Sequence, residues 1–288
     1  MHNMEEYMDI RTDLALESFS ADELPDSVHI SFRGSAFRIT EIIIDDDSLL
    51  DSTGKGKGRY ITLEGERLSR FTEDYRLMAQ ELAQELSALI PEGEILAVGL
   101  GNNDITPDAI GPQTAAKLLA TRHIAEQPDC FGDFLTSLRP VSTFAGGVMG
   151  QTGIETAEIV RAIAAELRPA AIIAIDALAC TDINRLGCTI QISDTGISPG
   201  SGVSNCRKEL SEKLFGVPVI AIGVPTVVDM HTIVRNLTGK NINGELPNMM
   251  VTPRDIDRLT ERASQLLAFG INLALQPTMT FEDVRGLF

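Results

Sequence analysis

The stretch PAAIIAIDALAC, residues 169–180, decides the fold class. Its apolar run Ala170–Ile175 follows Pro169, which closes an amphipathic helical pattern, and it reads as a strand buried on both faces. Working outward, the same alternation repeats. Upstream, Leu82, Leu86 and Leu89 recur at helical spacing, and Pro91 with Gly93 stops that helix before the apolar strand Ile95–Leu100. Thr152 and Glu155 form a capping box, and Ile159, Val160, Ile163 and Leu167 give the next helix its buried stripe. Downstream, Thr189–Ser193 and Val217–Val224 are the third and fourth strands. Thr252 then caps a helix with Pro253 at its first position. Ile256, Leu259, Ala263, Leu266 and Leu267 line one face of it, and Gly270 closes it. Strands alternating with amphipathic helices imply an α/β fold, a mostly parallel sheet sandwiched by helices.

Residues 1–60 read differently. They are polar and turn-rich, an irregular arm with short strands at Arg38–Ile44 and Tyr60–Leu63. Between these lie an acidic knot, Asp45–Asp47, and the run Gly54-Lys55-Gly56-Lys57-Gly58. No repeat or linker divides the chain, so one domain with an N-terminal embellishment is expected.

Composition bounds the function. The chain has 288 residues, 43% hydrophobic and 23% charged, which is a folding composition rather than a disordered one. Its length fits one large domain or two tightly joined ones, at about 100–200 residues per domain. Lys+Arg number 24 against 41 Asp+Glu, a net charge of −17, which argues against a nucleic-acid partner. Cys130, Cys180, Cys188 and Cys206 show no C-x-x-C or zinc-ligand spacing and read as reduced thiols. Met1–Asp9 carries acids and no Lys or Arg, so it does not read as a signal peptide. Pro169–Cys180 and Val217–Val228 are each far short of the ~20 residues of a membrane span. A soluble, intracellular protein with no membrane partner is expected.

In an open α/β sheet, sites form outside the carboxyl ends of strands. Three such ends deliver an acid straight from an apolar run. Ile95–Leu100 feeds the loop Gly101–Asp108, Ala170–Ile175 ends at Asp176, and Thr189–Ser193 ends at Asp194. One ionised and one protonated carboxyl can activate water and protonate a leaving amine. An acid after a strand is often only a helix cap, yet Asp176 interrupts an otherwise unbroken apolar stretch, and a charge buried there needs a partner or a purpose. Other chemistries fare worse. Gly200-Ser201-Gly202 has no base nearby, no G-x-S-x-G or H-E-x-x-H occurs, and Gly99-Leu100-Gly101-Asn102 is half a dinucleotide fingerprint. His2 lies in the polar tail, His29 in the irregular region, and His123 near a helix end. His231 is the sole faint metal candidate.

These segments also carry a resemblance. IRTDLA (residues 10–15), GRYITLE (58–64), VGLGN (98–102), TPDAIGP (106–112), GVMG (147–150) and TGIET (152–156) resemble the germination protease, or spore protease, family. So do IAIDALA (173–179), TIQISDTGI (189–197), PGSGV (199–203), PVIAIGVPTVVD (218–229) and MVTP (250–253). The interval from Asp229 to Met250 is shorter than in longer members. The resemblance implies an endopeptidase of atypical aspartic type, whose two catalytic aspartates fall at Asp108 and Asp176; Asp194, the third strand-end acid, is the candidate for a supporting role. It implies small acid-soluble spore proteins as substrates, a homotetramer, and a cytoplasmic location in the forespore or spore core. No metal and no other cofactor is expected.

The family's substrates are cut after an acid and before an apolar residue, with Ala and then Glu beyond. Thr12-Asp13-Leu14-Ala15-Leu16-Glu17 repeats that pattern, so residues 1–13 are expected to be a propeptide cut between Asp13 and Leu14, with 14–288 the protease domain. The fold also resembles that of hydrogenase-maturation proteases, in which carboxylates and a histidine hold a metal. Two rivals follow: a metal-dependent maturation peptidase using Asp108, Asp176 and His231, and a non-enzymatic protein whose Gly101–Asp108 loop holds a small ligand.

Overall fold

The computed structural model describes residues 12–19, 25–70, 72–127, 129, 132–198, 208–240 and 249–287. Three strands come first, β1 (Val28–Arg33), β2 (Arg38–Ile44) and β3 (Gly58–Glu64). Helix α1 (Tyr75–Ser87), β4 (Ile95–Gly99), the short helix α2 (Ile110–Ala115) and β5 (Val141–Phe144) follow. Then come α3 (Thr156–Leu167), β6 (Ala171–Ala179) and β7 (Thr189–Ser193). The chain continues through β8 (Val219–Asp229), α4 (Met230–Thr238), β9 (Met250–Val251), α5 (Ile256–Leu275) and α6 (Phe281–Arg285).

The strands pair in the order β1-β2-β3-β7-β8-β6-β4-β5, and β9 pairs with the end of β8. Neighbours among β8, β6, β4 and β5 are parallel. This half is the strand–helix alternation legible in the sequence. The N-terminal meander joins it through antiparallel β7. One face of the sheet, with Ile95, Ala97, Ile173, Ile175, Ile190 and Ile222, packs on α1, α2, α5 and α6. The opposite face of the parallel half, with Leu96, Val98, Ile172 and Ala174, packs on Ala157, Val160 and Ala164 of α3. On the meander that second face is covered by the N-terminal segment, where Ala15 lies against Val28, Ile42, Ile44 and Tyr60. Among the described residues no helix is long and apolar enough to cross a membrane.

Several local expectations are corrected. Among the described residues the arm adds β1 to the two strands expected there, and the three form a meander. Glu81 of α1 accepts the backbone N–H groups of Ser35, Ala36 and Phe37 at 2.7, 3.1 and 3.0 Å, which fastens the β1–β2 turn to the helix. Arg33 ties the same meander to Glu85 and Glu41, and Arg59 also reaches Glu41. Burial works against the Glu41 charge, but hydrogen bonds from Arg59 and Arg33 outweigh it and hold its pKa below the usual carboxylate range. Strands β6 and β8 run past the sequence boundaries, to Ala179 and Asp229, because each has a neighbour to pair with there. Thr152 closes a separate turn and accepts from Ile154 N–H at 3.1 Å, so Glu155 rather than a Thr152 capping box precedes α3. Thr252 bonds the Thr226 carbonyl at 2.9 Å, and α5 starts later, after Asp255. Cys180 is buried and Cys188 half-buried, both as free thiols; Cys130, Cys206 and Gly200-Ser201-Gly202 lie outside the described residues.

Gly270 does not close α5, which continues to Leu275. Its role is contact. A methyl group at 270 would lie 2.5, 2.6 and 3.0 Å from Cδ2, Cγ and Cβ of Leu82 in α1. Gly270→Ala is therefore expected to destabilise the protein, since overpacking costs about 1–3 kcal/mol and outweighs the ~1 kcal/mol of helical propensity gained. Urea or thermal unfolding checks this; a variant more stable than wild type would contradict the packing.

Candidate active site

The site grows out of a mismatch in strand length. Leu100, just past β4, donates its N–H to the Ile175 carbonyl of β6 at 2.8 Å. There β4 stops and β6 continues. Alternate residues of β6 face opposite neighbours: Ile172 and Cys180 donate to Pro218 and Val227 on the β8 side, while Ile175 faces β4. Ala177 and Ala179 therefore face the notch that β4 leaves behind.

Two carboxylates are placed at this edge. Asp176 is buried, 4% exposed, and its Oδ1 accepts the Ala177 N–H at 2.9 Å, which turns it to the notch side of its strand. It lies inside β6 rather than at its end, opposite Gly223 of β8. Asp108 is half-buried and ends the turn Thr106–Asp108; its Oδ2 accepts the Asn102 N–H at 2.7 Å. Asn102 is two residues beyond Leu100, and Leu100 is bonded to the residue before Asp176. The strand-end argument thus brings this pair to one edge.

The turn carrying Asp108 is gripped from below. Thr226 of β8 donates to the Pro107 carbonyl at 2.8 Å, and Thr260 of α5 donates to the Thr106 carbonyl at 3.0 Å. Both threonines are fully buried. The loop is braced on its other side by Gln151, whose Nε2 reaches Asn102 Oδ1 at 2.8 Å and Asp104 Oδ2 at 3.0 Å. Gly111 lets α2 lie directly on the strand ends, since a Cβ there would meet the carbonyl oxygens of Leu100 and Ile175 at 2.2 and 2.4 Å.

The N-terminal segment enters the same notch. Asp13 N–H donates to the Ala179 carbonyl at 3.1 Å, and Asp13 Oδ2 accepts the Ala179 N–H at 2.7 Å. Leu14 is fully buried against Leu178, Cys180 and Val228. Ala15 N–H reaches Gln191 Oε1 at 3.2 Å, and Glu17 accepts the N–H groups of Thr181 and Asp182 at 2.7 and 3.0 Å. Residues 1–11 lie outside the described residues.

Other candidates lie elsewhere. Because β7 runs antiparallel to β8, its last residue, Ser193, sits opposite Ala221 near the start of β8. Asp194 accordingly faces away from the pair and accepts the Arg59 N–H of β3 at 2.8 Å. His231 is the second residue of α4, and His123 lies in a helical turn, Arg122–Glu126. His29 Nε2 pairs with Asp45 Oδ2 at 2.9 Å. Among the described residues no group of three His, Cys, Asp or Glu side chains could hold a metal ion. Thr226 and Thr260 were missed in the sequence, although each interrupts an apolar pattern as Asp176 does.

Comparison with known proteins identifies the chain's relatives. The model of the germination protease family matches residues 26–243. A germination protease of Clostridium tetani (strain Massachusetts / E88) is 37% identical over 322 residues, covering 97% of this chain and 99% of its own. One from Caldanaerobacter subterraneus subsp. tengcongensis is 40% identical over 320 residues, with 96% and 98% covered. One from Bacillus velezensis is 37% identical over 301 residues, with 96% and 77% covered. Among solved structures, a NiFe hydrogenase maturation protease HycI from Thermococcus kodakarensis KOD1 aligns with a TM-score of 0.35 at 17% identity, over 65% of this chain and 99% of its own. The family match and the near-complete relatives define a peptide-bond hydrolase, an endopeptidase. The chain belongs to the germination protease family.

The grip on Asp108 can be weighed directly. Thr226→Val keeps the side-chain size but removes the donor to Pro107, and is expected to cost about 1–3 kcal/mol of stability. Thr226→Ser should recover most of it. Chemical denaturation of the two variants distinguishes this from simple filling of space, for which valine would serve as well as threonine.

Proposed function

We propose that this endopeptidase initiates the degradation of small acid-soluble spore proteins at germination, using Asp108 and Asp176 to activate water. The observation that carries the reading is the convergence of both carboxylates on the notch where β4 ends. Each is held by a backbone N–H, Asn102 for Asp108 and Ala177 for Asp176. An extended peptide can pair with the edge of β6 that the notch opens, as proteases and other peptide binders commonly require. The ionised member takes a proton from water as it adds to the scissile carbonyl, and the protonated member gives one to the leaving amine. The two roles are assigned to the pair as a unit rather than to one residue each. The chain works in the spore core as a homotetramer, a reading supported by the family resemblance alone. The metal-dependent rival has less support, because Asp108, Asp176 and His231 do not form a ligand cluster.

We also propose that the chain is a zymogen, with residues 1–13 a propeptide and 14–288 the protease domain. Support comes from Asp13, which pairs with Ala179 of β6, three residues beyond Asp176, at a bond of acid–apolar–Ala pattern. An occupied notch is closed to other peptides.

Asp108→Asn and Asp176→Asn should each lower cleavage of a purified small acid-soluble spore protein by about 10²–10⁴-fold without unfolding the enzyme. Cut sites mapped by mass spectrometry report the substrate class, and near-normal turnover by either variant would contradict the two-carboxylate mechanism. For the zymogen, mild acidification should remove the first 13 residues together with a gain in activity. A full-length chain that stays intact and digests substrate at full rate would remove the propeptide reading.

A further inference from the structure

A cation meets a peptide bond beside the notch. Lys55 Nζ donates to the carbonyl oxygen of Asp13 at 2.9 Å. That oxygen belongs to the Asp13–Leu14 bond. Lys55 is not a loosely placed surface residue. Asp47 Oδ1 accepts the Lys57 N–H at 2.7 Å, Thr53 Oγ1 accepts the Lys55 N–H at 3.1 Å, and the Tyr60 hydroxyl donates to the Gly56 carbonyl at 2.9 Å. The acidic knot and the Gly-Lys run, which looked like mere turn signals, thus fix one ammonium in place. Burial pushes the Lys55 pKa down, and the Asp13 and Glu17 carboxylates push it partly back up.

The bond beneath it is held on every side. Asp13 is paired with Ala179 through both its N–H and its carboxylate, and Leu14 is locked in its apolar pocket with its N–H on Thr12 Oγ1 at 3.1 Å. Ala177, which receives the Asp176 carboxylate, precedes Ala179 by two residues, roughly 7 Å along the strand. A donor 2.7–3.1 Å from the position an oxyanion will occupy is the geometric requirement for stabilising it. Lys55 already lies 2.9 Å from the ground-state carbonyl oxygen of this one bond, from which the oxyanion would form.

We infer that Lys55 is a catalytic electrophile of self-cleavage, holding the Asp13 carbonyl oxygen and balancing the negative charge it acquires when water adds. The inference rests on the reading that the chain cuts itself between Asp13 and Leu14. In the step, the water oxygen bonds to the Asp13 carbonyl carbon while one water proton passes to the ionised carboxylate of the pair. The π electrons of the C=O bond move onto oxygen, against the ammonium. They then return, the C–N bond breaks, and the Leu14 nitrogen takes a proton from the protonated carboxyl. A new carboxyl group remains on Asp13 and a new amine on Leu14.

The alternative is that Lys55 only fastens the segment, and the two ideas predict opposite signs. If it is a fastener, losing it frees the bond and the cut accelerates. If it is the electrophile, the cut slows. Full-length wild type, Lys55→Met and Lys55→Gln are to be followed by mass spectrometry of the N-terminus under identical mild acidification, with melting temperatures measured for each. The expected result is a fall of about 10²–10³-fold in the rate of cutting at 13–14 for Lys55→Met, the loss typical of one oxyanion donor. Lys55→Gln, which keeps a neutral donor, should fall between. If Lys55→Met melts early, Lys55→Gln decides. Cutting at the wild-type rate or faster in a folded variant overturns the role of Lys55 and leaves the cleavage site standing. Wild type that never cuts at 13–14 overturns both.

Discussion

The hydrogen bond from Leu100 N–H to the Ile175 carbonyl, at 2.8 Å, is where the parallel core stops being symmetrical. Up to that rung β4 and β6 are ordinary buried partners, from Ile95 opposite Ala171 to Gly99 opposite Ile175. Beyond it β4 turns away through the loop to Asp108, and β6 runs on to Ala179 with β8 on one side only. Everything placed at the notch follows from that difference in length. The loop end, the continuing strand and the N-terminal segment all arrive at a stretch of β6 whose inward neighbour has gone.

A strand edge inside a protein carries backbone groups that must be satisfied. Here the satisfying groups are the acids themselves. Ala177 N–H is met by Asp176, Ala179 N–H by Asp13, and Asn102 N–H by Asp108. A carboxylate near the bottom of an apolar sheet would be costly without donors. The same orphaned N–H groups that the notch creates supply them, so the geometry that opens a binding edge also permits acids beside it. The two threonine hydroxyls beneath the Asp108 turn complete the arrangement by fixing the loop from β8 and α5.

What the sequence revealed and what it hid divide along physical lines. Apolar runs and helical stripes report burial, so the strands ending near Gly99 and Ser193 and the stripe of α5 were legible with small boundary errors. Asp176 was legible because a charge inside an apolar run has no bland explanation. Direction was not legible. Periodicity is the same for a strand read either way, so β7 looked like another parallel strand, and Asp194 was grouped with acids that it turns its back on. In the meander β2 and β3 were legible, and β1 was hidden for a related reason. β1 is an edge strand whose residues are mostly exposed, so it lacks an apolar signature, and its fastening to α1 depends on Glu81 and Glu85, residues that read as surface acids on a helix. Gly270 was misread because a glycine that ends a helix and one that admits a neighbouring leucine look identical in one sequence.

The N-terminal segment shows the same economy at the notch. Leu14 and Ala15 are fully buried, with Ala15 part of the cluster that closes the second face of the meander. Glu17 holds the turn after β6 through Thr181 and Asp182, and reaches Arg185 as well. These residues are as much part of the folded core as any strand. Asp13 differs, since its described hydrogen bonds run to the β6 edge and to Lys55 rather than into the apolar interior. On the proposed reading, a break at the Asp13–Leu14 bond would separate Asp13, paired along the β6 edge, from Leu14, which is fully buried. The new terminus would be held by burial of Leu14 and by the Gln191 and Thr181 contacts. On the other side of that bond, Thr12 and Asp13 are held by Glu17, by edge pairing with Ala179 and by Lys55, polar contacts that water and salt weaken.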